Sequence, residues 1–201
     1  MNHALQELST YLEEHGKSPQ DYGLPEPTVY SAEVEHELER WHPQRDALRA
    51  RAEHALGVLN AEQRLIFDRI VHAALTETPL LAFIDGKAGR GKTFLINAIC
   101  DYLRAQGNIV LPTATSGYAA QLYPGGRTTH STFKVPINDR NELLKSPITA
   151  RSSRGDLINR ARAIMWDEAP MANKAVLACV EEVARTVSDH PDLPFGGKVF
   201  I

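Results

Sequence analysis

Gly86-Lys87-Ala88-Gly89-Arg90-Gly91-Lys92-Thr93 lies between the apolar run Leu80-Leu81-Ala82-Phe83-Ile84 and a segment in which Phe94, Leu95, Ala98, Ile99, Tyr102 and Leu103 recur at helical spacing until Gly107 supplies a stop. The apolar run predicts a fully buried strand, so the order is strand, glycine-rich loop, helix. In that context the octapeptide reads as a phosphate-binding loop. Glycines let the backbone turn its N–H groups inward around a polyphosphate, and Gly91 lets the helix begin directly beneath it. Gly86, Ala88, Gly89, Arg90 and Gly91 form the expected cradle, Lys92 reaches the β and γ phosphates, and the Thr93 hydroxyl is offered to Mg²⁺. The positive end of the following helix adds a fixed partial charge to the same anion. A nucleoside triphosphate is the first ligand implied. A plain glycine-rich turn is the alternative that the motif alone leaves open.

A second feature supports the first. Asp167-Glu168 directly follows the apolar run Ala163-Ile164-Met165-Trp166, which reads as a strand. Both carboxylates then emerge at the carboxyl end of that strand, the end at which the loop also lies. There Asp167 is placed to hold Mg²⁺, usually through water, and Glu168 to polarise the water that attacks a γ-phosphate. Lys92, Asp167 and Glu168 are thus the candidate catalytic residues, with Thr93 and Asp167 the candidate metal ligands. An acidic pair that merely caps a helix is the other reading.

From Leu59 onward helix and strand alternate: a helix through Ile70, the Leu80 strand, the loop helix, a strand at Ile109-Val110-Leu111, a polar glycine-rich stretch, a helix near Leu157, the Ala163 strand and a helix from Lys174 to Val187. Such alternation implies an α/β domain whose mostly parallel sheet is covered on both faces. Lys198-Val199-Phe200-Ile201 looks like the opening of one more buried strand, which suggests that the chain is a piece of a longer domain. Before Leu59 the pattern is helical. Leu5, Leu8 and Leu12 predict an amphipathic helix ending near Gly16, Ser18 to Pro27 predicts a loop, and Val34, Leu38 and Trp41, then Leu48, Ala52 and Leu56, predict two further helices. This leader either packs on the domain behind it or forms a flexible arm.

The chain has 201 residues and 43% hydrophobic composition, enough for one sizeable core or one core with a small appendage. Its net charge of −3 is unevenly spread, because residues 1–55 hold 5 Lys and Arg against 11 Asp and Glu. The leader is acidic and the rest mildly basic. Cys100 and Cys179 fit neither a disulfide framework nor a zinc pattern and read as buried free thiols. No run of eighteen apolar residues and no signal-peptide pattern occurs, so a soluble protein with no membrane partner is expected, in a nuclear or cytosolic setting.

The loop at 86–93 and Trp166-Asp167-Glu168-Ala169-Pro170-Met171 resemble motifs I and II of the petite-integration-frequency helicases, which are superfamily-one, 5′-to-3′ DNA helicases. Leu59-Asn60-Ala61-Glu62-Gln63 resembles the family's Q motif, Pro124-Gly125-Gly126-Arg127-Thr128-Thr129-His130-Ser131-Thr132-Phe133-Lys134 resembles its early DNA-contact segment, and Phe195-Gly196-Gly197-Lys198-Val199 resembles the lead-in to motif III. Leu5 to Pro27 is similar, less specifically, to the segment preceding the helicase half of Helitron transposases. The resemblance implies a RecA-like P-loop NTPase fold, a three-layer sandwich incomplete here, occupying residues 58–201 behind a helical leader over 1–57. It also implies ATP and Mg²⁺ as cofactors and single-stranded DNA as partner. The polar sensor and the arginine fingers of the family's mechanism are not among these residues, so unwinding by the chain alone is expected to be negligible. A non-catalytic nucleotide-binding remnant of a transposon-encoded helicase is the alternative, and an unrelated P-loop ATPase would leave the 125–134 segment without a reason.

Two assignments stay open at this level. Gln63 has the amide to satisfy the N6 donor and N7 acceptor of adenine, yet Asn60 and Gln63 also have the spacing of a capping box. Ser116 and Gly117 fall where the family touches single-stranded DNA, although its usual proline and threonine are replaced by Thr115 and Ser116. Arg127, His130 and Lys134 interleave with Tyr123 and Phe133, a composition suited to pairing phosphates and stacking bases. A structural histidine and a core phenylalanine have the same composition.

Overall fold

The computed structural model describes Leu8, Leu12 and residues 19–24, 30–87, 89–137 and 143–201. Contacts divide the chain into Met1–Ser31 and Ala32–Ile201. In the first unit the expected helix at Leu5, Leu8 and Leu12 lies almost wholly outside the described residues, of which Leu8 and Leu12 are helical. The expected loop contains a 3₁₀ turn at Pro19–Tyr22, closed by Gly23 N–H to the Gln20 carbonyl at 3.0 Å.

The second unit opens with α1 (Ala32–Trp41), α2 (Arg45–Val58) and α3 (Ala61–Thr76). Then come β1 (Leu80–Leu81), α4 (Lys92–Ala105), β2 (Ile109–Ala114), the short α5 (Gly117–Ala120), β3 (Arg127–Thr128) and α6 (Thr129–Phe133). It continues through α7 (Ser153–Arg160), β4 (Ala161–Asp167), α8 (Lys174–Val187) and β5 (Val199–Phe200). The helix starts follow from side-chain caps. Asn60, Ser116, Thr128, Ser152 and Asn173 each accept a backbone N–H of the first turn.

The five strands are ordered β1-β5-β4-β2-β3, and every pair is parallel. Residues of β2 are all buried, as a strand covered on both faces requires. On one face, Phe67 and Ile70 of α3 and Leu95, Ile99 and Leu103 of α4 form a core with Val110, Ala163, Met165 and Val199. Alternation along β4 sends Trp166 to the other face, where its ring meets Phe200 edge-on at 6.2 Å. The run at Lys198 does become a buried strand, seated between β1 and β4. The expectation of a fully buried strand over Leu80–Ile84 is corrected. The strand is confined to Leu80 and Leu81 with one further bond from Ala82 N–H to the Phe200 carbonyl, β1 is an edge strand among the described residues, and Leu81 and Phe83 are 61% and 71% exposed. Hydropathy gives a strand but not its place in the sheet.

Both expected cysteines are free and buried, and burial pushes the Cys100 thiol up to about 11, so it stays protonated and inert. No helix among the described residues is long and apolar enough to cross a membrane.

The helices α1 and α2 are built into the second unit. Arg51 of α2 grips Asp101 of α4 with two hydrogen bonds of 2.8 and 3.1 Å. Arg104, at the end of α4, is 1% exposed. Its guanidinium lies 4.0 Å from the centre of the Trp41 ring and donates to the carbonyls of Pro124 at 2.8 Å and Val110 at 3.2 Å. The Glu37 carboxylate, which also accepts the Trp41 indole N–H at 2.7 Å, supplies the counter-charge at 3.9 Å. Replacing Arg104 with methionine, which is long but has no donors, leaves two carbonyls and a carboxylate uncompensated. The expected cost is about 3 kcal/mol in urea unfolding. A loss below about 0.5 kcal/mol would show that these groups find other partners, since surface changes of that size are ordinary.

Candidate functional site

The loop leaves β1 and enters α4 through two left-handed glycines, Gly89 (φ +76) and Gly91 (φ +81). Gly91 is favoured on two counts, the first the stronger. Its φ suits only glycine well, and a Cβ there would lie 2.7 Å from the Gln63 amide nitrogen. Lys92 is the first residue of a helix of 14 residues, and its ammonium donates to the carbonyls of Gly86 and, at 3.3 Å, Lys87. Thr93 follows in the first turn. Ala88 lies outside the described residues.

Opposite stands the end of β4. The β2–β4 register sets Thr113 against Trp166 and Ala114 against Asp167, so β2 and β4 end side by side. Asp167 accepts the Glu168 N–H at Oδ1 (2.9 Å) and the Tyr123 hydroxyl at Oδ2 (2.7 Å). Glu168 has φ +56, a left-handed conformation that is uncommon for a side chain with a Cβ and tends to persist where function over-determines it. Its carbonyl accepts the Thr115 hydroxyl at 2.8 Å and its carboxylate accepts the Ser116 hydroxyl at 3.0 Å. The capping alternative for this acidic pair finds no support, because α8 is capped by Asn173 and neither carboxylate caps a helix. Gly89, Arg90, Gly91, Lys92 and Thr93 face Asp167 and Glu168 across a cleft of about 540 Å³ that Tyr118, Ala119 and Leu122 complete.

Both readings of Gln63 meet in one geometry. Its Oε1 accepts the Asn60 N–H at 3.1 Å while its own N–H goes to Asn60 Oδ1 at 2.9 Å, a complete capping box. Its Nε2 donates to the Arg90 carbonyl at 3.1 Å, which ties the start of α3 to the loop. A second lone pair on Oε1 and a second hydrogen on Nε2 are left for a base.

The segment expected to meet DNA divides. Ser116 caps α5 and also holds Glu168, so its hydroxyl belongs to the carboxylate site as much as to the surface. Gly117, Arg127 and Lys134 are exposed and His130 is half-buried. Phe133 is corrected: it is 0% exposed, has no face to offer a base, and is a core residue. Tyr123 is likewise buried, with its hydroxyl on Asp167. Gly126 makes the turn before Arg127 possible, since a Cβ there would sit 2.2 Å from the Ala120 carbonyl oxygen. Arg154 escaped sequence reasoning. It pairs with Glu33 of α1 and donates to the carbonyls of Ser131 (3.2 Å) and Thr132 (3.1 Å), fixing the last turn of α6. No local pattern signals a contact between α1 and α7.

Residues 58–201 match the family model described as PIF1-like helicase. The chain belongs to that family. It is 33% identical over 148 residues to the ATP-dependent DNA helicase PIF1 of Trypanosoma brucei brucei, an alignment that covers 71% of this chain and 14% of the relative. With PIF4 of the same organism it shares 36% over 145 residues, covering 69% and 17%. A Bacteroides Pif1 helicase solved in complex with ADP-AlF3 and single-stranded DNA superposes with a TM-score of 0.55 at 26% identity, over 71% of this chain and 31% of that one. The α/β fold is thus that of the RecA-like Pif1 helicases. The chain spans less than a fifth of those two curated relatives and about a third of the solved helicase.

The two roles of Gln63 separate chemically. Gln63→Glu keeps the acceptor that the capping box needs and removes the donor to Arg90. We expect urea stability to change by less than about 0.5 kcal/mol while affinity for a fluorescent ADP falls about tenfold, the loss of roughly one hydrogen bond. Unchanged ADP affinity would mean that the Arg90 tether does nothing for the loop.

Proposed function

We propose that this chain is the nucleotide-binding portion of an ATP-dependent DNA helicase motor. The observation that carries the reading is the placement of the phosphate-loop residues and the Asp167–Glu168 pair on opposite sides of one cleft at the carboxyl ends of parallel strands. Backbone N–H groups from Gly89 to Lys92 and the start of α4 receive the β and γ phosphates. The Lys92 ammonium has three donors, two of them engaged on loop carbonyls, which leaves one for a phosphate oxygen. Glu168, held by Ser116, orients the attacking water and takes its proton.

The residues present fit Mg²⁺. Thr93 and Asp167 supply a hydroxyl and a carboxylate, hard oxygen donors, and Mg²⁺ characteristically takes few protein ligands beside phosphates and water. Among the described residues no group of three His, Cys, Asp or Glu forms a metal site of another kind. When bound, the ion neutralises charge developing on the β and γ oxygens.

Single-stranded DNA is the proposed partner, met by Ser116, Gly117, Arg127, His130 and Lys134, with movement 5′ to 3′ as in the resembled family. A nuclear setting accords with that substrate. Arginine fingers of such motors contribute about 10³ to 10⁵ in rate and come from a second motor domain, so residues 1–201 alone bind nucleotide but separate strands negligibly.

Mg·ATP affinity of the chain against its Lys92→Ala variant tests the site. A loss of about tenfold or more is expected from removing one charged hydrogen-bond donor, and equal affinities would remove the assignment. For DNA, Arg127→Ala with Lys134→Ala is expected to lower the slope of log affinity for oligothymidine against log salt by about 1.4, the share of two phosphate contacts on a single strand. An unchanged slope would move the DNA path elsewhere.

A further inference from the structure

Tyr123 is 5% exposed, and its ring belongs to the core that α3, α4 and the strands share. Its hydroxyl bonds a carboxylate that lines the cleft. That hydroxyl donates to Asp167 Oδ2 at 2.7 Å. One buried phenol thus bonds the carboxylate proposed to face the cation. With the Glu168 N–H on Oδ1, each oxygen of Asp167 has a donor, so the carboxylate is fixed in rotation. The backbone that carries the phenol is itself held. Tyr123 N–H reaches the Ala120 carbonyl at 3.3 Å, the Tyr123 carbonyl accepts Gly126 N–H at 2.8 Å, and the next carbonyl, of Pro124, is taken by buried Arg104.

Burial, then the bond to Asp167, pushes the Tyr123 phenol well above its ordinary value, while Thr93 pulls the other way. A neutral donor to one carboxylate oxygen leaves that group's charge in place and fixes its direction, which is what a partner behind a metal ligand does.

We propose that Tyr123 is a positioning residue for the divalent cation that accompanies the nucleotide, acting through Asp167. The proposal rests on the nucleotide-site reading above and adds to it the group that aims the metal-facing oxygens.

The test is a titration of Mg²⁺ against the 201-residue chain with a fluorescent ADP, for the parent, Tyr123→Phe, Asp167→Ala and the double variant. Partners behind metal ligands are commonly worth about 10–100-fold in metal affinity, so Tyr123→Phe is expected to raise the half-saturating Mg²⁺ concentration about tenfold. Affinity for ADP without metal should change by less than about twofold. With Asp167 already replaced by alanine, Tyr123→Phe should shift the half-point no further, because the phenol has lost the group through which it acts. An unchanged half-point in Tyr123→Phe, or an equal shift in both backgrounds, overturns the proposal and returns Tyr123 to packing. A parent that binds ADP with no response to Mg²⁺ removes the metal site together with this proposal, and a parent that binds no ADP removes the nucleotide reading too. Should Tyr123→Phe not fold, ¹³Cζ-tyrosine resonances of the parent decide: Tyr123 must shift on adding Mg²⁺ to the ADP complex, and a stationary resonance overturns the proposal.

Discussion

The parallel pairing of β2 with β4 is the constraint on which the candidate site depends. It sets Ala114 against Asp167 and sends Thr115 and Ser116 off one strand beside Glu168 at the end of the other. Three bonds follow from that register: Thr115 N–H to the Asp167 carbonyl at 3.1 Å, the Thr115 hydroxyl to the Glu168 carbonyl at 2.8 Å, and the Ser116 hydroxyl to the Glu168 carboxylate at 3.0 Å. A slip of one residue would turn every β2 side chain to the opposite face and part Thr115 and Ser116 from Glu168. Burial of β2 on both faces makes such a slip costly. The left-handed backbone of Glu168 is then a consequence of holding its carbonyl and its carboxylate against neighbouring residues of one strand end.

What could be read from the sequence is what depends on short spacing. The loop at 86–93, the helix that follows it, the helix at Lys174–Val187 and the strand ahead of Asp167 all declare themselves within a few residues. Position within the sheet does not, which is why Leu80–Ile84 reads as buried yet runs along an edge. Nor does the fate of an aromatic ring. Tyr123 and Phe133 stand among cations, and the same composition serves a base-stacking surface or a core beneath one. The phenol of Tyr123 meets a carboxylate 44 residues away, and only the β2–β4 pairing brings them together. Gln63 is a further case, since a capping box and a base-reading amide call for the same residue at the same spacing, and the fold adds the bond to Arg90 that neither reading contains.

The acidic character of the leader takes on a local meaning in α1. Glu33 and Glu37 are not simply solvated charge. Glu33 pairs with Arg154 behind α6, and Glu37 compensates Arg104 while accepting the Trp41 indole. Each glutamate thus neutralises an arginine whose other donors hold backbone carbonyls of the segment between Pro124 and Thr132. Buried or half-buried guanidinium groups are stable only when charge and hydrogen bonds are both supplied, and α1 supplies the charge.

α4 in turn holds the segment before Arg127 at two points, through Asn97 and Arg104. A helix of 14 residues is about 21 Å long, and it carries Thr93 in its first turn and Arg104 in its last. Asn97 donates to the Leu122 carbonyl at 3.2 Å and Arg104 to the Pro124 carbonyl at 2.8 Å, while Tyr123 between them bonds Asp167. The turn leads through Gly126, where no side chain fits, directly to Arg127. A displacement of α4 along its axis would therefore strain both of its bonds to the turn. Movement at the phosphate loop must then either be absorbed by the loop's glycines or carry the Tyr123–Gly126 turn, and the basic segment behind it, as one body.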